Sequence, residues 1–264
     1  MEEPKSSTER KLNPVVFGSS VATITLMLIG AVVATDAVAG AFNAIQALIV
    51  DKFGWFYVLS MTGMVFFAFW LMQSRFGSIK LGPDDSTPDF GMLTWFAMLF
   101  SAGMGIGLLF FGVAEPVQHL MSPPTAEPNT VAAAQEAMNF TFLHWGFHAW
   151  GVYALVGLSL AYFTYSRGLP LTIRSIFYPF LGDKIHGWIG DVIDIFAVLA
   201  TLFGLATSLG FGVQQIASGL NHVFGIPDGM LTQVLLIAGI TVIATTSVVL
   251  GVDKGVRILS EWNM

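Results

Sequence analysis

Three aromatic residues in the stretch Phe142-Leu-His-Trp-Gly-Phe-His-Ala-Trp-Gly-Val-Tyr153 stand at spacings that could hold a cation. At 100° per residue of α-helix, Trp145, Trp150 and Tyr153 fall within one sector of about 140°. Aromatic faces turned into a cavity attract quaternary ammonium ions by about 0.5–2 kcal/mol per ring. Ordinary packing of rings between helices gives the same spacing, so the pattern alone leaves both readings open.

A second constellation is Leu99-Phe-Ser-Ala-Gly-Met-Gly-Ile-Gly-Leu-Leu-Phe-Phe-Gly-Val-Ala-Glu-Pro116. It lies in an apolar run from Gly91 to Ala114, long enough to cross a bilayer, which takes about 20 helical residues. Gly103, Gly105 and Gly107 fall at alternate positions in its middle, and each costs about 1 kcal/mol relative to Ala in a helix. The run is therefore a place where a membrane helix can unwind, which lipid permits only where backbone lines a cavity or is packed in protein. Secondary transporters use such breaks to offer backbone groups to substrate and ion. Glycines in membrane helices also serve close helix packing. A dinucleotide loop is excluded, because that loop follows a strand in a soluble βαβ unit.

Two further patterns carry less. Thr201 and Ser208, at i and i+7, put two hydroxyls on one helical stripe, and hard cations prefer oxygen ligands. Hydroxyls in membrane helices also bond their own backbone or a neighbour. His144 and His148 stand at i and i+4, but neither a carboxylate beside the first histidine nor a third ligand is evident, so a catalytic zinc site is not supported. A hydrogen bond between helices is the expected histidine role.

The elements that must position these residues follow from composition. Hydrophobic residues make up 55% of the 264, charged residues only 11%, and there are 23 Phe, which places the chain among integral membrane proteins. The net charge is −6, and no basic block is present that could grip nucleic acid. Cysteine is absent, which excludes disulfides, thiolate metal sites and a cysteine nucleophile.

Six spans are expected: an uncleaved first from about Pro14 to Thr35, a second from Trp55 to Met72, the glycine-broken third closing at Glu115-Pro116, a fourth from Phe140 to Tyr165, a fifth opened by Asp191 and Asp194 and ending near Leu220, and a sixth from Leu231 to Leu250. Asp36, Asp51 and Lys52 fall in the connection between the first two. An amphipathic piece, Leu171 to Pro179, is expected along the membrane face. Glu115, Asp191 and Asp194 are placed at span ends, near water. Cations in short loops favour the cytoplasm, and with both termini inside, ten of the eleven Lys and Arg lie on that side, Lys52 being the exception.

The glycine run, the span-four aromatics, Ala200-Thr-Leu-Phe-Gly-Leu-Ala-Thr-Ser208, Ser74-Arg-Phe-Gly-Ser-Ile-Lys-Leu-Gly82 and Gly251-Val-Asp-Lys-Gly-Val-Arg-Ile-Leu-Ser260 together resemble the betaine/choline/carnitine transporter family. The resemblance covers everything after the N-terminal tail. It implies an all-α polytopic bundle, the first part of a LeuT-type inverted-repeat transporter, with residues 1–13 a cytoplasmic tail, 14–90 two peripheral helices and a cytoplasmic loop, and 91–264 an incomplete first repeat. It implies a bacterial inner-membrane carrier, not an enzyme, importing a quaternary ammonium solute such as betaine, choline or carnitine with sodium or protons, in a homotrimer. A passive pore or uncoupled exchanger for the same solutes is the alternative.

By position, the resemblance assigns Trp145, Trp150 and Tyr153 to an aromatic box and Gly103, Met104, Gly105 and Gly107 to a flexible substrate segment. It assigns Met104, with Ser101 or Ala102, as backbone contributors to one sodium site, and Thr201 and Ser208 to another. Sodium-coupled members carry a hydroxyl where this chain has Leu205, and proton-coupled choline members an acid where it has Gly107, so the coupling ion stays open. The family has about twice this many residues, and the chain is expected to be its N-terminal half.

Overall fold

The computed structural model describes residues 12–264. The charged tail expected over residues 1–13 lies outside them, apart from Leu12 and Asn13. Every regular element among the described residues is helical. Among the described residues five helices are long and apolar enough to cross a membrane, or six if a bent pair is counted as one span, so the chain is a multi-pass membrane protein.

Helix α1 spans Pro14–Val33 and begins on a strong local signal. The Asn13 side chain accepts hydrogen bonds from the backbone N–H groups of Val15 and Val16, at 3.0 and 3.2 Å, and proline occupies the first helical position. After a single break residue, α2 runs from Thr35 to Gln73 without interruption. This corrects the expected loop through Asp36, Asp51 and Lys52. Asp36 sits in the first turn, where the helix dipole favours an acid, and Asp51 and Lys52 pair at 2.7 Å on an exposed face. At 1.5 Å per residue α2 is about 58 Å long, nearly twice the hydrocarbon core, so a single crossing leaves room outside it for the turns that carry Asp36, Asp51 and Lys52.

Helix α3, Met92–Gly103, ends at the glycine run; a π-turn over Gly107–Phe111 and helix α4, Gly112–Met121, continue in a direction bent by 61°. The span does not close at Glu115-Pro116 as expected. Pro116 forgoes one ladder bond inside α4, and the helix runs on to Met121. The fourth crossing is also two pieces, α5 over Val131–Trp145 and α6 over Phe147–Ala161, separated at Gly146. It starts earlier than expected because Thr130 caps it through the Ala133 N–H.

A short 3-10 helix, Ile173–Phe177, and one turn of α7, Tyr178–Leu181, stand where a continuous amphipathic piece is expected. Helix α8 follows over Trp188–Phe224 and α9 over Met230–Gly251. Gly251 takes a φ of 79°, which a β-carbon resists, and a π-turn then leads into α10, Arg257–Asn263.

The chain divides into two compact units, one drawn from the chain up to Gly63, Leu71–Gly82 and Leu155–Leu202, the other from Met64–Trp70, Pro83–Ala154 and Phe203–Met264. In the first, Arg174 is anchored to the start of α8. Its Nε donates to Asp194 at 2.6 Å, a terminal nitrogen to Asp191 at 2.8 Å, and the other to the Ile185 carbonyl at 3.1 Å. Asn13 donates to the same Asp191 at 2.7 Å. Arg174 and Asp194 are each 8% exposed, so Asp194 is a buried partner and not the solvated span end that was expected. Burial works against the guanidinium charge, and the hydrogen bonds and charges of Asp194 and Asp191 outweigh it, holding Arg174 above its ordinary pKa.

Candidate functional site

In the second unit two broken helices lie against each other, and the contact is made by tryptophans on glycines. The Trp150 indole covers Gly103, the last residue of α3, so closely that any β-carbon there would overlap its ring. The Trp145 indole covers Gly107 in the same way, at the start of the π-turn. At Gly105, between them, a β-carbon would meet nothing within 4 Å. Two of the three glycines therefore admit an indole, and the third sits in the break itself.

The break is bounded by two backbone bonds. Met104 N–H donates to Phe100 at 2.8 Å, closing α3, and Leu109 N–H donates to Gly105 at 3.1 Å, opening the next stretch. Met104 and Gly105 between them are non-helical. The Leu109 carbonyl, inside the π-turn, accepts from Gln215 of α8 at 2.7 Å. Phe110 stacks on Phe211 of the same helix at 5.0 Å.

Both indole N–H groups are used inside the protein. Trp150 Nε1–H donates to the Trp145 carbonyl at 3.1 Å, satisfying an end carbonyl of α5 that has no helical partner. Trp145 Nε1–H donates to Glu115 Oε2 at 2.6 Å. Trp145 also stacks on Phe111, at 5.8 Å and 30° between planes, and Tyr153 stands edge-on to Trp150 at 5.5 Å and 74°. Trp145 and Trp150 are half-buried, whereas Tyr153 is 47% exposed.

Glu115 is the residue that sequence reasoning misplaced. It is 7% exposed, and besides Trp145 it faces His144 Nδ1 at 2.8 and 3.0 Å and His119 Nε2 at 3.6 Å. The expectation that a histidine joins two helices holds for His144, which links α5 to α4. The Glu-Pro dipeptide resembled a span end, and only folding shows that two neighbouring residues of α5 converge on this carboxylate. Among the described residues no group of three His, Cys, Asp or Glu is arranged to hold a metal ion.

The residues expected at ion sites stand as follows. Ser101 Oγ donates to the Ser260 carbonyl at 3.4 Å and accepts from Asn263 at 3.3 Å, which ties α3 to α10; Thr94 adds a 2.6 Å bond to Glu261. Ala102 is exposed and Met104 half-buried. Thr201 Oγ1 donates to Ala197 in its own helix at 2.8 Å, and Ser208, farther along α8, is exposed.

A family model described as BCCT, betaine/carnitine/choline family transporter, matches residues 15–264. The chain belongs to this family. Among curated members of the betaine/carnitine/choline transporters, it is 49% identical over 264 residues to the glycine betaine transporter of Acinetobacter baylyi, covering all of this chain and 40% of that protein. It is 48% identical over 253 residues to a probable glycine betaine transporter of Desulfitobacterium hafniense, covering 96% of this chain and 51% of that protein. It is 47% identical over 259 residues to the high-affinity choline transport protein of Escherichia coli, covering 98% of this chain and 38% of that protein. The chain thus spans about half the length of these relatives, or less. The family is one of transporters and not of enzymes, in keeping with the resemblance read from the glycine run and the span-four aromatics.

Proposed function

We propose that this chain is the part of a secondary active transporter that binds a quaternary ammonium solute, such as glycine betaine or choline, for import across a bacterial inner membrane. Trp145, Trp150 and Tyr153 supply ring faces to the cationic head. The break at Met104 and Gly105 supplies backbone groups to the substrate; Met104 with Ser101 or Ala102 contributes to one site for a coupling ion, sodium or proton, and the hydroxyls of Thr201 and Ser208 to a separate one. The N-terminus lies in the cytoplasm, and the protein works as a homotrimer.

One observation carries the reading. The two glycines that flank the break each seat an indole whose N–H is already bonded within the protein, so what is left to a ligand is ring surface, that of Trp150 and the part of Trp145 not covered by Phe111 and His144. Relatives named for glycine betaine and for choline support the same class of solute. The test is uptake of labelled betaine by proteoliposomes carrying the protein from its complete reading frame, with sodium and proton gradients imposed separately. Accumulation above the outside concentration under either gradient is expected. Equilibration and no more under both would overturn active transport.

A further inference from the structure

We propose that Glu115 is a positioning residue for substrate recognition: by accepting the Trp145 Nε1–H it fixes the plane of that indole and fastens the ring to the second half of the broken span. The proposal rests on the reading of Trp145 as a cage residue.

Three residues on successive turns of one helical face hold this ring. Gly107 gives it room, Phe111 stacks on it, and Glu115 takes its N–H. The first two contacts leave the indole free to turn or slide in its own plane. The third does not, because a 2.6 Å bond to a carboxylate is short and directional. Without that acceptor, a partly buried indole N–H would have to find another, and the ring would turn to reach it.

The cost of burying Glu115 also has to be met. A carboxylate at 7% exposure is expensive unless every oxygen is engaged. Its partners are Trp145 and His144, adjacent in sequence at the last turn of α5, with His119 one turn along its own helix. Its bonds to another element thus go to the residues just before the Gly146 break. Glu115 therefore sets where α5 ends against α4 and, through the indole, how one wall of the cage faces. No substrate contact of Glu115 is needed for this effect.

The test is the Michaelis constant and maximal rate of betaine uptake by the protein from its complete reading frame, at matched membrane abundance. Glu115→Ala is expected to raise KM about tenfold with the maximal rate held within about twofold, the weight of one hydrogen bond to a charged group. Glu115→Gln keeps an acceptor without the charge and is expected to recover KM to within about threefold of wild type. In a Trp145→Phe background, which lacks the N–H, Glu115→Ala is expected to add less than about twofold. If Glu115→Ala does not reach the membrane, a tryptophan analogue with sulfur in place of the indole N–H, placed at position 145, removes the same bond, and an unchanged KM there overturns the proposal.

Two other results overturn it. If Glu115→Gln is as damaging as Glu115→Ala, charge and not positioning is the role. If Glu115→Ala raises KM equally with and without the Trp145 N–H, the carboxylate does not act through the ring. Either result leaves the cage reading intact as long as Trp145→Ala raises KM. An unchanged KM in Trp145→Ala would bring down the cage reading and this proposal together.

Discussion

The rim of the Trp150 indole rests on the α-carbon of Gly103 with no space for a methyl group between them. Trp145 stands in the same relation to Gly107, while Gly105 has open space on its side-chain face. The three glycines are therefore not equivalent, although they alternate regularly in the sequence. Gly103→Ala and Gly107→Ala are expected to displace an indole and raise the KM for betaine about tenfold, the scale of overpacking a rigid contact. Gly105→Ala is expected to change it less than about threefold, since its β-carbon meets no neighbour. Uptake kinetics of the three variants at equal abundance check this ordering.

Substrate chemistry offers a second check. A carbon isostere of betaine, with a tert-butyl group in place of trimethylammonium, keeps the shape and loses the charge. Cation–π attraction of about 0.5–2 kcal/mol per ring implies that it competes at least about tenfold more weakly than betaine. In Trp145→Ala or Trp150→Ala that discrimination should narrow. Competition against labelled betaine, wild type beside each variant, is the measurement.

Arg174 carries a stability expectation. Arg174→Ala leaves Asp194 buried without its guanidinium and Asp191 without its ion pair, which is expected to cost about 3–5 kcal/mol. A thermal melt in detergent should show it as a lower transition temperature. The pH dependence follows from the raised pKa of Arg174. A cation held above its unfolded value contributes stability below that value and loses it only as pH rises through the folded one. Both lie at the alkaline extreme, so the gap between wild type and Arg174→Ala should stay constant from about pH 7 to 10.

The spans and the break were legible in the sequence because both are local. Apolar length and three alternating glycines are read without knowing any partner. The choice of partner was not legible. Nothing in the spacing says that Gly103 receives Trp150 and Gly107 receives Trp145, because that depends on how the glycine-broken span packs against the helix that carries both tryptophans.

Charged residues misled for a related reason. Glu115 beside Pro116 looked like a helix end, and Asp194 near the start of a span looked solvated. Each is buried on partners many residues distant, His144 and Trp145 for the first and Arg174 for the second. In α2, the polar residues near positions 36 and 52 suggested a loop, whereas a helix much longer than the bilayer is thick can carry them outside it.

The most direct test of the account is equilibrium binding of betaine to the purified protein from its complete reading frame, followed by intrinsic tryptophan fluorescence, for wild type and for Trp145→Ala, Trp150→Ala and Tyr153→Ala. The account expects a saturable change in wild type and an affinity lowered about 2- to 30-fold by each substitution, the weight of one ring. Undiminished betaine affinity in all three variants would contradict it.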